Sequence, residues 1–130
     1  MANSSFATVI SCMDGRIQKP LREFAREKFG VDFVDAITDR GGLLRHLPGA
    51  ENEGYVENML QNIQVSLTAH NSKGIIMAGH QECAGYPIPG DQKRKEVVDA
   101  ANLLRGKFAG IEIIPVFVVE NEGGWKVENL

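Results

Sequence analysis

Two short clusters of the sequence contain residue types that bind transition metals. The first is CMDGR at positions 12–16 and the second is HQEC at positions 80–83, and together they hold both cysteines of the chain and one of its three histidines. Two thiolates and an imidazole suit zinc, at about 2.3 Å for sulfur and about 2.0–2.1 Å for nitrogen, and leave a fourth tetrahedral position for water. The clusters therefore predict one Zn²⁺ ion held by Cys12, His80 and Cys83.

Two charged residues follow the first of these ligands. Asp14 lies two residues after Cys12, and Arg16 lies two residues further on. An arginine can hold a carboxylate by two parallel hydrogen bonds, and such a pair beside a metal orients whatever binds there. Asp14 and Arg16 are therefore the predicted catalytic residues. The alternative is that Asp14 only caps a helix and that Arg16 is a surface charge.

Three other polar residues have weaker support as site residues. Glu82 could act as a base, but a solvated loop carboxylate is the simpler interpretation. His70 stands where a helix ends, a position at which the helix dipole favours a cation. His46 is interpreted as a loop side chain. Neither histidine has neighbours in the sequence that would complete a metal site.

Other chemistry that uses a cysteine lacks its motif in this sequence. A cysteine phosphatase loop needs an arginine a few residues after the nucleophile, and residues 84–89 contain none. A thioredoxin-type redox pair needs Cys-x-x-Cys, which is absent. Neither a Gly-x-Gly-x-x-Gly motif nor a P-loop occurs, so no motif supports nucleotide binding.

Apolar runs place both clusters at the carboxyl ends of strands. Residues 7–10 and 75–78 are short apolar runs, typical of buried strands, and each leads into one cluster. The predicted strands are 7–12, 31–38, 75–80 and 111–119, followed by a short antiparallel tail at 125–127. The predicted helices start at Pro20 and stop at Gly30, span 54–70, and run through Val97 to Phe108.

Strands that alternate with helices predict an α/β fold. We expect three layers, with four parallel strands joined by right-handed crossovers, helices on both faces and a C-terminal antiparallel strand. Ligands bind such sheets at the carboxyl ends of the strands. Pro115 predicts that the fourth strand is an edge strand or carries a bulge. An irregular loop is predicted after residue 42 through Pro48 and Gly49.

Composition narrows the class of protein. A chain of 130 residues that is 43% hydrophobic and 24% charged can bury a core of its own, and we expect one domain over residues 1–130. The net charge of -3 and scattered basic residues argue against a nucleic-acid-binding surface. No signal peptide or membrane span is recognisable, so a cytoplasmic location is expected, where reduced thiols favour metal binding.

The two clusters resemble the motifs of the β-class carbonic anhydrases. SCMDGR at 11–16 is similar to their Cys-x-Asp-x-Arg motif, and GHQEC at 79–83 is similar to their Gly-His-x-x-Cys motif. The resemblance implies zinc ligation by Cys12, His80 and Cys83, a sheet order of 2-1-3-4 and a homodimer with active sites at the subunit interface. It also implies that Asp14 and Arg16 orient the attacking water, or that Asp14 is released to become the fourth ligand.

Three functional hypotheses follow. The leading one is a zinc lyase that hydrates carbon dioxide reversibly to bicarbonate. The second is a hydrolase of a related small molecule such as COS or CS₂. The third is a zinc-stabilised binding or regulatory module in which Asp14 closes the coordination shell and no water is activated.

Apolar residues in the loop after the second strand, Leu43, Leu44 and Leu47, predict a surface that a second copy of the chain would cover.

Overall fold

A five-stranded sheet with α-helices on both faces forms the fold. The computed structural model describes residues 4–47 and 53–130. The elements in chain order are β1 (Phe6–Cys12), α1 (Gly15–Phe29), β2 (Phe33–Asp39), α2 (Glu53–Ala69), β3 (Gly74–His80), α3 (Gly90–Lys107), β4 (Glu112–Asn121) and β5 (Gly124–Asn129). The sheet order is β2-β1-β3-β4-β5, with the first four strands parallel and β5 antiparallel to β4. The predicted fold class and its order 2-1-3-4 are confirmed.

The two central strands bring the sequence clusters side by side. β1 and β3 are buried along almost their whole length, because helices cover both faces of the sheet. Ile10 pairs with Met77, so the two strands run in parallel to the same edge. Cys12 ends β1, His80 ends β3, and Asp39 ends β2 directly opposite Cys12. The residues with metal-binding side chains therefore start from neighbouring strand ends.

Each face of the sheet packs against its own apolar core. Ile17 and Leu21 of α1 are buried against one face. Ile63 of α2 and Val97 and Leu104 of α3 are buried against the other. Burial of each such side chain stabilises the fold by roughly 1.5–3 kcal/mol. The packing on both faces therefore holds the strands that carry the site residues at their ends. None of the helices in the described part of the chain is long and apolar enough to cross a membrane.

The helix α1 begins at Gly15, so the start predicted at Pro20 is wrong. The Asp14 side chain accepts a hydrogen bond from the Arg16 backbone N–H at 2.9 Å and caps the helix one turn earlier. Pro20 lies inside the helix, where its missing N–H removes one backbone hydrogen bond. The predicted stop is confirmed, because Gly30 adopts a φ of 62° in the left-handed region that glycine favours.

The position predicted for β4 from Pro115 is wrong. β4 lies between β3 and β5, and its register with β3 is continuous, with Pro115 opposite Met77. The Pro115 carbonyl accepts a hydrogen bond from the Leu130 N–H, on the side of β5. Since the N–H and C=O of one strand residue point to the same side, the missing N–H faces β5 just beyond its last paired residue, Asn129. The proline therefore removes no hydrogen bond between β3 and β4.

The segment after β2 is a compact turn and not an exposed apolar loop. Leu43 and Leu44 are 0% and 2% exposed and belong to the core, and Leu47 packs partly buried against it. The apolar surface predicted from these three leucines is therefore wrong. A single 3₁₀ turn spans Leu44–His46. The rest of the predicted loop, Pro48 and Gly49, lies outside the described residues.

Candidate metal centre

The side chains of Cys12, His80 and Cys83 meet at the carboxyl edge of the sheet. All three are buried, and their ligand atoms lie within 4.8 Å of one another. The Cys12 and Cys83 Sγ atoms are 3.8 Å apart. Two sulfurs bound to one tetrahedral ion at about 2.3 Å stand about 3.8 Å apart, whereas a disulfide would bring them to about 2.05 Å. The three residues therefore form one group that could hold a metal ion.

The hydrogen bonding of His80 leaves one ring nitrogen for a metal. His80 Nδ1 lies 2.7 Å from the backbone carbonyl of Gln81. Because a carbonyl only accepts, Nδ1 carries a proton, and in the neutral ring the lone pair is then on Nε2. Nε2 is buried and has no hydrogen-bond partner among the residues that the structure describes. A buried acceptor without a partner costs free energy, so this atom favours a bound cation.

The two thiols are joined by a hydrogen bond, which Cys83 Sγ donates to Cys12 Sγ. The hydrogen bond from the Cys83 thiol lowers the pKa of Cys12 to about 4 against the opposing effect of burial, with smaller contributions from His80 and from the Gly41 backbone. The same hydrogen bond, together with burial, raises the pKa of Cys83. The lowered pKa favours the thiolate form of Cys12, which is the form of cysteine that binds a metal ion.

Two glycines allow the loops that carry the ligands to touch. Gly41 has a φ of 71°, and its N–H donates to Cys12 Sγ at 3.2 Å. A Cβ atom on Gly85 would lie 2.5 Å from the Gly41 nitrogen, closer than real Cβ contacts allow. Glycine at position 85 therefore lets the loop after β3 approach the turn after β2, which brings Cys83 to Cys12.

Asp14 and Arg16 form the ion pair predicted from their spacing. Arg16 Nη2 donates to Asp14 Oδ2 at 2.7 Å, and Arg16 Nε donates to Oδ1 at 3.1 Å. These hydrogen bonds lower the pKa of Asp14 to about 2, so the group is a carboxylate at neutral pH. The same carboxylate caps α1. Pairing and capping, which the sequence presented as alternatives for Asp14, therefore occur together.

Two further residues hold the Arg16 guanidinium. Nη1 donates to Glu82 Oε1 and Nη2 donates to the Glu82 backbone oxygen, both at 3.3 Å. The guanidinium carbon lies 4.5 Å from the centre of the Trp125 ring on β5. Glu82 is an exposed loop carboxylate, as predicted, and its contacts with Arg16 also link the second cluster to the first. Sequence spacing does not relate Trp125 to Arg16, so only the fold reveals this contact.

The two other histidines contact aspartates and stay outside the ligand group. His46 lies in the connection after β2, as predicted, but its side chain is buried, with Nε2 2.5 Å from Asp39 Oδ2. This contact holds the turn whose backbone reaches Cys12. His70 Nδ1 lies 2.7 Å from Asp35 Oδ2. Among the described residues, neither histidine joins the group of ligand atoms.

A cavity of about 580 Å³ opens beside His80 and Cys83. One of its lining residues is Lys93 of α3, which is 3% exposed and whose Nζ lies 3.5 Å from the His80 carbonyl oxygen. Burial lowers the pKa of Lys93, and the nearby cysteines oppose this effect. Lys93 was not predicted from the sequence as a site residue. Its spacing of four residues from Val97 could have indicated that it lies on the buried face of α3.

Comparison with known families covers nearly the whole chain. The family model described as "Putative carbonic anhydrase" matches residues 2–130, which include both clusters. No curated protein matches the sequence.

Proposed function

The chain belongs to this carbonic anhydrase family, and on that premise we propose that it catalyses the zinc-dependent, reversible hydration of carbon dioxide to bicarbonate. The observation that carries the proposal is the arrangement of Cys12, His80 and Cys83, whose ligand atoms lie within 4.8 Å of one another. A divalent ion held by two thiolates and one imidazole keeps a coordination position for a reactant. In the proposal these three residues are the zinc ligands.

The proposed chemistry needs a nucleophile at neutral pH and a group that orients it. Zinc in such a site lowers the pKa of water to about 7 and so supplies hydroxide. Asp14 is ionised and can only accept hydrogen bonds, so it would orient the attacking oxygen through its O–H. Arg16 fixes the plane of that carboxylate through its two parallel hydrogen bonds. Asp14 and Arg16 are thus the proposed catalytic pair.

The geometry of Asp14 favours catalysis over a closed zinc module. To become the fourth ligand, the carboxylate would have to leave both the Arg16 guanidinium and the N-terminus of α1. The contacts of Arg16 with Glu82 and Trp125 hold the guanidinium in place. The pair therefore opposes the rotation that would close the metal site.

A homodimer is part of the proposal and rests on the family resemblance. The leucines that first indicated an apolar interface, Leu43 and Leu44, are buried in the core. Sedimentation of the purified protein at micromolar concentration is expected to give a dimer. A monomer that hydrates carbon dioxide at full rate would contradict this part of the proposal.

Stopped-flow measurement of carbon dioxide hydration tests the proposed activity. We expect zinc-loaded protein to accelerate hydration between about pH 6.5 and 9, with a rate that rises as the attacking water ionises. Arg16→Gln is expected to lower the rate by at least about tenfold, because Asp14 loses the group that orients it. Lys19→Gln serves as the control, because Lys19 is an exposed residue of α1, the helix that also carries Arg16.

The proposal fails if zinc-loaded wild-type protein is no faster than zinc-free protein throughout that range. A protein that binds zinc tightly without this activity would be a zinc-stabilised binding module instead. Equal rates in Arg16→Gln and Lys19→Gln would contradict the role given to the Asp14–Arg16 pair.

A further inference from the structure

The cavity beside the candidate metal centre is much larger than carbon dioxide requires. Its volume is about 580 Å³, whereas a water molecule, which like carbon dioxide has three atoms, takes up about 30 Å³ of liquid. Cavities that bind small organic molecules typically measure roughly 300–1,000 Å³. The space therefore fits a ligand of many more atoms than the proposed substrate.

A buried lysine with one hydrogen-bond acceptor lines this cavity. Lys93 is 3% exposed, and its ammonium, which has three N–H donors, makes one hydrogen bond, at 3.5 Å to the His80 carbonyl oxygen. Its Nζ also lies 5.9 Å from the centre of the Tyr86 ring, and Cys83, Cys12 and Glu96 are close enough to favour its charged form. In the described part of the chain the Lys93 ammonium forms no ion pair with a carboxylate. A buried charge normally has well-placed partners, so the donors of Lys93 favour an anion in the cavity.

A second cation lies next to Lys93 on the wall of the cavity. The Arg94 guanidinium carbon stands 4.3 Å from the centre of the Phe117 ring, and its Nη2 also contacts Glu128 at 3.3 Å. The carboxylate that lines the cavity, Glu82, is itself paired with Arg16. The charge facing the cavity near α3 is therefore positive.

Apolar side chains form another part of the wall. Pro87 and Ile88 of the loop before α3, together with Phe117 and Val119 of β4, line the same cavity as Lys93. We propose that this cavity binds an organic carboxylate, with its charged group on Lys93 and Arg94 and its apolar part on Ile88, Phe117 and Val119. Bicarbonate has no apolar part, so this ligand is distinct from the product of the proposed hydration.

Isothermal titration calorimetry of the purified protein, with its metal content measured, tests the site. Three probes separate the contributions: 3-phenylpropionate, its neutral analogue 3-phenyl-1-propanol, and acetate, which lacks the apolar part. We expect 3-phenylpropionate to bind at least about tenfold more tightly than either of the other two. The measurement needs no turnover, so it is independent of whether the protein hydrates carbon dioxide.

Variants of the two cations locate the binding. Lys93→Met keeps the length of the side chain in its buried position and is expected to weaken binding of 3-phenylpropionate at least about tenfold. Arg94→Gln is expected to weaken it less, because Arg94 also contacts Glu128. Lys95→Gln on the exposed side of α3 is the matched control and should bind like wild type. Thermal unfolding of each variant shows that it is folded.

Three results would overturn the proposal. The first is no binding of 3-phenylpropionate by wild type at millimolar concentration. The second is equal affinity for acetate, which would remove the apolar part of the site. The third is unchanged affinity in Lys93→Met. If wild type does not bind the carboxylate and Lys93→Met loses its metal, the role of the Lys93 ammonium would be to stabilise the cysteine thiolates instead.

Discussion

Replacing Asp14 by Asn separates the charge of this residue from its role as a helix cap. Asn caps a helix N-terminus about as well as Asp, so the variant keeps the hydrogen bond to the Arg16 N–H and loses the ion pair. The Arg16 guanidinium, with smaller contributions from the Arg16 backbone N–H and from His80, lowers the pKa of Asp14 from its ordinary 3.8 to about 2, and the whole shift corresponds to about 2 kcal/mol at 1.36 kcal/mol per pKa unit. The Arg16 side chain is 44% exposed, so solvent screening reduces the expected loss to about 1–1.5 kcal/mol.

Asp14→Ala removes the cap as well and is expected to cost about 1 kcal/mol more than Asp14→Asn. The matched control is Asp99→Asn, which breaks an exposed pair with Lys95 whose side chains are 76% and 58% exposed. Such a pair contributes only about 0.3–0.5 kcal/mol. The order of stability should therefore be Asp99→Asn, then Asp14→Asn, then Asp14→Ala as the least stable.

Urea unfolding at neutral pH measures these differences, and its pH dependence checks their origin. Because the pKa of Asp14 is lower in the folded protein, the ion pair contributes in full above its ordinary value of 3.8, and the contribution is lost as the pH falls towards 2. The gap between wild type and Asp14→Asn should narrow over that interval. An Asp14→Asn variant that loses no more stability than Asp99→Asn would refute the reasoning.

Three further substitutions test the surroundings of the site. Cys83→Ser is expected to reduce the zinc content of the purified protein at least about tenfold by metal analysis, since one of three ligands is lost, and unchanged zinc would contradict the ligand set. Gly85→Ala places a Cβ 2.5 Å from the Gly41 nitrogen and should lower the free energy of unfolding, measured in urea, by roughly 1–3 kcal/mol. The control Gly106→Ala, whose added Cβ meets nothing within 4 Å, should raise it by up to about 1 kcal/mol. Trp125→Leu should remove a contact with Arg16 of about 0.5–1 kcal/mol, and a double-mutant cycle with Arg16→Gln that gives no coupling would rule this contact out.

The order of elements follows from local patterns in the sequence, while their exact limits do not. The apolar runs before Cys12 and before His80 predict the two central strands, because a strand buried on both faces reads as a continuous apolar run. Pro20 gave the wrong start for α1, since the cap at Asp14 begins the helix earlier. Pro115 gave the wrong position for β4, since its missing N–H falls beyond the last paired residue of β5.

The candidate metal centre was also predictable from the sequence only in part. Residue types and spacing predict the group of Cys12, His80 and Cys83, because parallel strands end at one edge and bring their following residues together. Contacts that depend on distant parts of the chain could not be found this way. The packing of Trp125 on Arg16 is one such contact, and the burial of Lys93 beside His80 is another.

The zinc K-edge X-ray absorption spectrum of the purified protein tests most directly whether Cys12, His80 and Cys83 hold zinc with one position open. The account predicts two sulfur neighbours at about 2.3 Å and two nitrogen or oxygen neighbours at about 2.0–2.1 Å. The same spectrum is predicted for Asp14→Ala, because water and not the Asp14 carboxylate would occupy the fourth position. A spectrum without two sulfur neighbours, or one that loses a light-atom neighbour in Asp14→Ala, would contradict the account.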